Sequence, residues 1–369
     1  MDGQYGDSTR SVKAAASVPV PGLPVASPPV PASTYHLSSD ESAALDTYGR
    51  GSNPTWRQLE SAFAALEGAT SALSFGSGMA AITATLRVLA KPGTKLVVPA
   101  DGYYQVRQYA VETLAPHGVE VVQAKAAEIC AAAVDADVVL AETPVNPTLD
   151  VVDLHRLALT CRSRGATLVV DNTTPTPLGQ QPLSLGADLV VASATKTLAG
   201  HGDLVAGYVA GSHPELMAAV ERERLLSGAV LGPFEAWLAL RSLGSAGLRF
   251  ERQCHNALAV AVMLRAHPAV GAVRYPGLPD DPSHQLACRQ MKRFGGLVAV
   301  ELADAAAVHD LVARSALLVA ATSFGGIHSS VDRRARWGDP VGEGFARLSL
   351  GIEDTDDLVD DIDRALRQA

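Results

Sequence analysis

The chain has 369 residues and a net charge of −9, with 47% hydrophobic, 19% charged and 5% aromatic residues. Its length predicts a large core and about two domains, no apolar run reaches the roughly 18 residues of a membrane span, and the acidic balance argues against nucleic acid, whose phosphates are held by clustered Lys and Arg. The four cysteines, Cys130, Cys161, Cys254 and Cys288, stand far apart with no C-x-x-C pair, which argues against a zinc site and against a disulfide framework.

Residues 1–46, which include VPVPGLPVASPPVPAS, show neither helical nor strand periodicity; repeated proline predicts an extended N-terminal arm, free or docked along a neighbouring subunit. No basic segment followed by an apolar core opens the chain, so a cytoplasmic protein is expected. A large domain is predicted over 47–240. It begins with TYGRGSNPTWRQLESAFAALEG, where Thr55 is the candidate cap of a helix carrying Leu59, Phe63 and Leu66 on one face. In the Gly-rich turn before it stand Tyr48 and Arg50. Their phenol and guanidinium suit a phosphate, and an ordinary surface arginine is the plainer reading. Gly76-Ser77-Gly78 then opens a strongly apolar helix. Free N–H groups and the helix dipole make its start, through Met79, a candidate phosphate cradle, although tight helix packing would use the same small residues. KLVVP predicts a strand ending at Pro99, followed by Tyr103 and Tyr104, a tyrosine there being placed to cover a flat ring.

From there strand and helix alternate through VEVVQA, DVVLAETPVNP, ATLVVDNTTPTP, ADLVVASATK and LVAGYVAG, which predicts an α/β fold with a mostly parallel sheet. Ligands in such sheets sit beyond the carboxyl ends of the strands, where Glu142, Asn146, Asp171, Ser193, Thr195 and Lys196 all fall. Lys196 follows the short strand Asp188 to Ala192 and the turn Ser193-Ala194-Thr195, which offers hydroxyls and backbone N–H groups. An amine beside an anion seat suits pyridoxal phosphate, an aldehyde and a phosphate ester in one molecule. Asp171 is placed to keep a pyridine nitrogen protonated, or simply to cap a loop. After about Leu231 one long helix is predicted over PFEAWLALRSLGSAGLRFERQCHNALAVAVMLRA, and a smaller α/β domain over 241–369. Within it GGLVAVEL and ARLSLGIED read as strands, the latter carrying Arg347, a candidate clamp for a carboxylate or a member of a structural ion pair.

Y-G-R-G-S-N-P-T, S-G-M-A-A, E-T-P-x-N-P, V-D-N-T, S-x-T-K with G-H-G-D, and Y-P-G-L with P-S-H occur here in one order between Thr47 and Ile352. In this the chain resembles the Cys/Met-metabolism family of fold-type-I pyridoxal-phosphate enzymes, and is most like its actinobacterial cystathionine γ-lyases through S-F-G-G-x-H-S-S and R-R-A-R-W-G. The resemblance implies a large cofactor domain with a seven-stranded-type sheet and a small C-terminal domain. It implies that pyridoxal 5'-phosphate forms a Schiff base with Lys196, meets Asp171 at its ring nitrogen, stacks on Tyr103, lies near Asn146, and is held at its phosphate by Ser77, Gly78, Met79, Ser193 and Thr195. Tyr48 and Arg50 are implied to complete the phosphate site of an adjacent subunit, in a homodimer or homotetramer. Ser323 and Arg347 are implied to bind the substrate α-carboxylate. Two departures bear on this. Tyr103-Tyr104-Gln105-Val106 replaces Y-G-G-T, and His328, after Ile327, stands where a glutamate is frequent, so a histidine faces the distal end of an amino-acid substrate. The implied activity is trans-sulfuration by γ-elimination, with L-cystathionine giving cysteine, 2-oxobutyrate and ammonia. γ-Replacement on an activated homoserine, β-elimination, methionine γ-elimination, transamination and a non-catalytic cofactor-binding role are the alternatives.

Overall fold

A computed structural model describes residues 5–39 and 46–367; the remaining parts of the expected arm, 1–4 and 40–45, lie outside the described residues. The large sheet is built from β1 (Ser71–Phe75), β2 (Lys95–Pro99), β3 (Glu120–Ala124), β4 (Val138–Glu142), β5 (Thr167–Asp171), β6 (Leu189–Ala192) and β7 (Gly207–Gly211). Their spatial order is β1-β7-β6-β5-β4-β2-β3. β7 runs antiparallel to both its neighbours, and the other pairs are parallel. Every residue of β4, β6 and β7 is buried, as expected of Val- and Ala-rich strands covered on both faces. Parallel pairing brings the ends of β4, β5 and β6 together, Glu142 opposite Asp171 and Asp171 opposite Val191.

The arm is not extended throughout. Asp7–Ala15 form helix α1, with Arg10 and Ser11 buried, and Arg10 Nη2 donates to the Leu66 carbonyl at 2.8 Å. The Ala-, Lys- and Arg-containing DSTRSVKAA favours helix and precedes the proline-rich stretch whose character dominated the sequence reading. Helix α2 (Pro54–Glu67) buries Leu59, Phe63 and Leu66 as predicted, but its cap is Asn53, not Thr55. Pro54 occupies the first turn, where its missing N–H costs nothing, so Asn53 Oδ1 accepts from Thr55 N at 2.8 Å. The Thr55 hydroxyl instead accepts from Val30 N, tying the arm to the domain. Helix α3 (Gly78–Leu89) follows β1, and helix α4 (Tyr104–Tyr109) follows β2.

The single long helix expected after Leu231 is two, Pro233–Leu243 and Ala246–Ala266, broken at Gly244 and Ser245. The second carries the chain to a five-stranded sheet of β8 (Ala272–Arg274), β9 (Leu297–Glu301), β10 (Val319–Ala320), β11 (Ser330–Arg333) and β12 (Phe345–Ser349), ordered β10-β11-β12-β9-β8. Its own core includes Leu264, Val298, Val300, Leu348 and Ile362. Among the described residues no helix is long and apolar enough to cross a membrane.

Candidate active site

Where β2, β4, β5 and β6 end, the chain encloses a cavity of about 530 Å³. It is lined by Ser77, Gly78, Met79, Tyr103, Asn146, Asp171, Ser193, Thr195, Lys196, Ser323 and Arg347, so eleven of the fourteen expected site residues meet there. Tyr48, Arg50 and His328 do not line it. Tyr48 is half exposed, and Arg50 Nη1 donates to the Leu225 carbonyl at 2.7 Å, beside a separate surface groove. His328 lines an adjoining groove with His201, Asp203 and Glu235, which meets the cavity at Thr322, Ser323 and Phe324.

Lys196 Nζ donates to Ser323 Oγ at 2.8 Å and lies 5.3 Å from the centre of the Phe324 ring. Burial, then the Arg347 charge, push its amine down to about 8 against the pull of Asp171. Ser323 has φ 74°, a left-handed backbone uncommon for a residue with a side chain. That conformation presents its hydroxyl to Lys196 while its carbonyl accepts from Arg347 Nη2 at 2.6 Å.

Ser77, also in the cavity lining, caps α3, its hydroxyl accepting from Ala80 N at 3.0 Å. This leaves the N–H groups of Gly78 and Met79, two residues that line the cavity, at the positive end of a 12-residue helix. The approach is close: a Cβ at Gly78 would stand 2.7 Å from Ser193 Cβ. The Thr195 hydroxyl both donates to the Ala206 carbonyl and accepts from Ala206 N, fixing the turn before Lys196 to the chain entering β7.

Two buried carboxyls form the floor. Asp171 accepts from Thr173 N at 2.9 Å, and burial pushes its carboxyl up. Glu142 Oε2 accepts from Tyr103 N at 2.7 Å and Oε1 from Asn146 N at 2.8 Å; burial, then the neighbouring Asp171 charge, push it up. Glu142 thereby joins the tyrosine loop to Asn146, a role that its place at a strand end suggested without defining. Tyr103 and Tyr104 both line the cavity edge to face, 5.3 Å apart, and Tyr103 donates to Gln105 Oε1 at 2.6 Å. Burial raises the Tyr103 phenol, which keeps its proton at neutral pH.

Arg347 Nη1 donates to Asn146 Oδ1 at 2.5 Å, and its buried Nε has no partner, a donor left for a ligand. Sequence reasoning missed Arg334 and Trp337, which complete the wall. The signal lay in R-R-A-R-W-G, noted as a motif without a role.

These residues fit pyridoxal phosphate. A depressed amine suits its aldehyde, the glycine-tight helix start suits its phosphate, and the buried Asp171 carboxyl suits a protonated ring nitrogen as counter-charge. Among the described residues no group of His, Cys, Asp and Glu is placed to hold a metal ion.

The family model described as Cys/Met metabolism PLP-dependent enzyme matches residues 9–367. A Streptomyces coelicolor protein named "Putative cystathionine gamma-lyase" is 48% identical, covering 98% of this chain and 93% of its own. The cystathionine gamma-synthase of Mycobacterium tuberculosis is 38% identical over 86% of each. The crystal structure of metB from Corynebacterium glutamicum superposes with a TM-score of 0.94 at 34% identity, covering 99% of this chain and 98% of that one.

Proposed function

From the premise that this chain belongs to the Cys/Met-metabolism PLP-dependent enzymes, whose chemistry makes and breaks carbon–sulfur bonds, we propose that it is a cystathionine γ-lyase. It would take L-cystathionine to cysteine, 2-oxobutyrate and ammonia. The observation that carries the reading is the convergence of Lys196, Tyr103 and Arg347 on one cavity that the start of α3 also lines.

Bound there, pyridoxal phosphate supplies an electron sink for charge developing at the substrate's α-carbon. Arg347 takes the α-carboxylate, with Asn146 Oδ1 and the Ser323 carbonyl fixing the guanidinium plane. That anchoring orients the Cα–H bond toward Lys196. Once free, the Lys196 amine, depressed to about 8, has a usable neutral fraction near neutral pH, so Nζ accepts the α-proton and returns one further along the chain. Ser323 Oγ steadies Nζ between these positions. Tyr103, protonated and half-buried, donates to the sulfur leaving Cγ. Asp171 keeps the ring nitrogen charged, and Glu142 holds the Tyr103 and Asn146 walls at a fixed separation.

The substrate's distal half extends toward the groove of His201, Asp203, Glu235 and His328, where the imidazoles suit a distal carboxylate and the carboxylates a distal ammonium. Tyr48 and Arg50, remote from the cavity of their own chain, act in the site of a second copy, so the working unit is at least a homodimer. A cytoplasmic setting goes with this amino-acid chemistry.

The same groove favours one second reading, γ-replacement, because it gives a thiol room to enter beside Ser323. Consumption of O-acetyl-L-homoserine with and without L-cysteine separates the two. Elimination predicts equal consumption and 2-oxobutyrate in both; a strong acceleration by cysteine with cystathionine as product would reassign the chain to replacement.

A further inference from the structure

Arg334 has no part in the mechanism above, yet it lines the cavity with its side chain buried among two carboxylates. Its Nε and Nη2 both reach Asp339 Oδ2, at 2.8 and 2.7 Å, and Nη1 reaches Asp332 Oδ2 at 2.7 Å. Asp332 is the cross-strand partner of Arg347 in the β11–β12 pair, so register alone sets a carboxylate facing the arginine assigned to the substrate. The Asp332 and Arg347 side chains are both 2% exposed. Two such charges left to themselves would close into a bidentate pair, and Arg347 would have little charge left to offer a ligand.

They do not close. Asp332 Oδ2 is 2.7 Å from Arg334 but 3.5 Å from Arg347 Nη2, a full hydrogen bond against a stretched one. Its second oxygen is taken by Trp337 Nε1 at 3.0 Å. Asp339 fixes the other side of the Arg334 guanidinium, so Arg334 cannot swing toward Arg347. Arg347 meanwhile directs its Nη atoms to neutral oxygens, Asn146 Oδ1 and the Ser323 carbonyl, and keeps a buried Nε unpartnered.

We infer that Arg334 is a positioning residue that holds Asp332 off Arg347 and so keeps the Arg347 charge open to the substrate's α-carboxylate. The inference rests on the reading of Arg347 as the carboxylate anchor. It makes Arg334 a determinant of specificity for amino acids over their uncharged amides, acting through Asp332.

Glycine and glycinamide test this on the cofactor-loaded protein, because they differ only at the carboxylate and undergo no elimination. Their dissociation constants are read from the visible absorbance of the bound cofactor. Wild type prefers glycine. In Arg334→Gln, glycine binding weakens about tenfold or more while glycinamide stays within about twofold. In the double variant Arg334→Gln with Asp332→Asn, the competing anion is gone and glycine affinity returns to within about threefold of wild type. A double variant as weak as Arg334→Gln would overturn the inference, since a direct or merely structural role for Arg334 gives no such rescue. Should Arg334→Gln fail to fold, Asp332→Asn alone decides: glycine affinity equal to or above wild type supports the inference, and a loss overturns it. Arg347→Gln is the control for the underlying reading. If it leaves the preference for glycine intact, the carboxylate assignment itself fails. If it removes the preference while Arg334→Gln does not, only the role of Arg334 fails.

Discussion

Lys196 and Ser323 show how little freedom the residues proposed for the chemistry have. The lysine enters on a turn fixed by Thr195 to Ala206, and the serine meets it from a left-handed backbone in the other domain. Lys196→Ala is expected to lose both turnover and the visible absorbance of the bound cofactor, with spectrophotometry and product assay as the measurements. The depressed amine has a pH signature in the cofactor-free protein. Its neutral form, which reacts with the aldehyde, is half populated at about pH 8 and saturates roughly one unit higher, so the rate of cofactor reconstitution should level there. A rate still climbing toward pH 10 would show an unperturbed lysine. Residue identity at most of these positions was legible because strand ends gathered Asn146, Asp171 and Lys196 in one place. Arg334 was not, since its partners Asp332 and Asp339 are charged residues whose burial no local pattern announces.

Elements place these side chains, and helix α3 has the narrowest tolerance. A methyl group at position 78 would meet Ser193, so Gly78→Ala should weaken cofactor affinity about tenfold, or roughly 1.4 kcal/mol, in equilibrium dialysis while the fold's circular dichroism is kept. Helix α2 ends on a second kind of constraint. Glu67 is 1% exposed and accepts from the Tyr208 phenol at 2.5 Å, with its carboxyl pushed up to about 7 by burial, against the pull of the Tyr208 and Asn172 hydrogen bonds. The folded state therefore keeps a proton that the unfolded chain, with its carboxyl at about 4.5, has released. Stability from this group is full below pH 4.5 and is lost as pH rises through 7, by roughly 3 kcal/mol at about 1.4 kcal/mol per pK unit. Urea titrations at pH 5 and pH 7.5 check it: the stability difference between the two should be smaller in Glu67→Gln than in wild type. The apolar face of α2 was readable from its spacing, but its cap was not. Both Asn53 and Thr55 are good capping types, and only the prolines at 54 and in the arm decide which oxygen is free.

For the whole molecule, alternating apolar strands and helices were enough to foresee a mostly parallel large sheet and a smaller second domain. What they missed were breaks and local reversals: α1 inside a proline-rich arm, and the Gly244-Ser245 interruption of a helical run that is apolar on both sides. The cavity lies between the two sheets, with Lys196 from one domain and Ser323 and Arg347 from the other, so domain packing assembles the proposed site. The most direct test of γ-elimination is to incubate the purified, cofactor-loaded protein with L-cystathionine alone and identify the products by mass spectrometry. Cysteine with 2-oxobutyrate is the result expected, absent in Lys196→Ala; homocysteine with pyruvate, or no product at all, would contradict it.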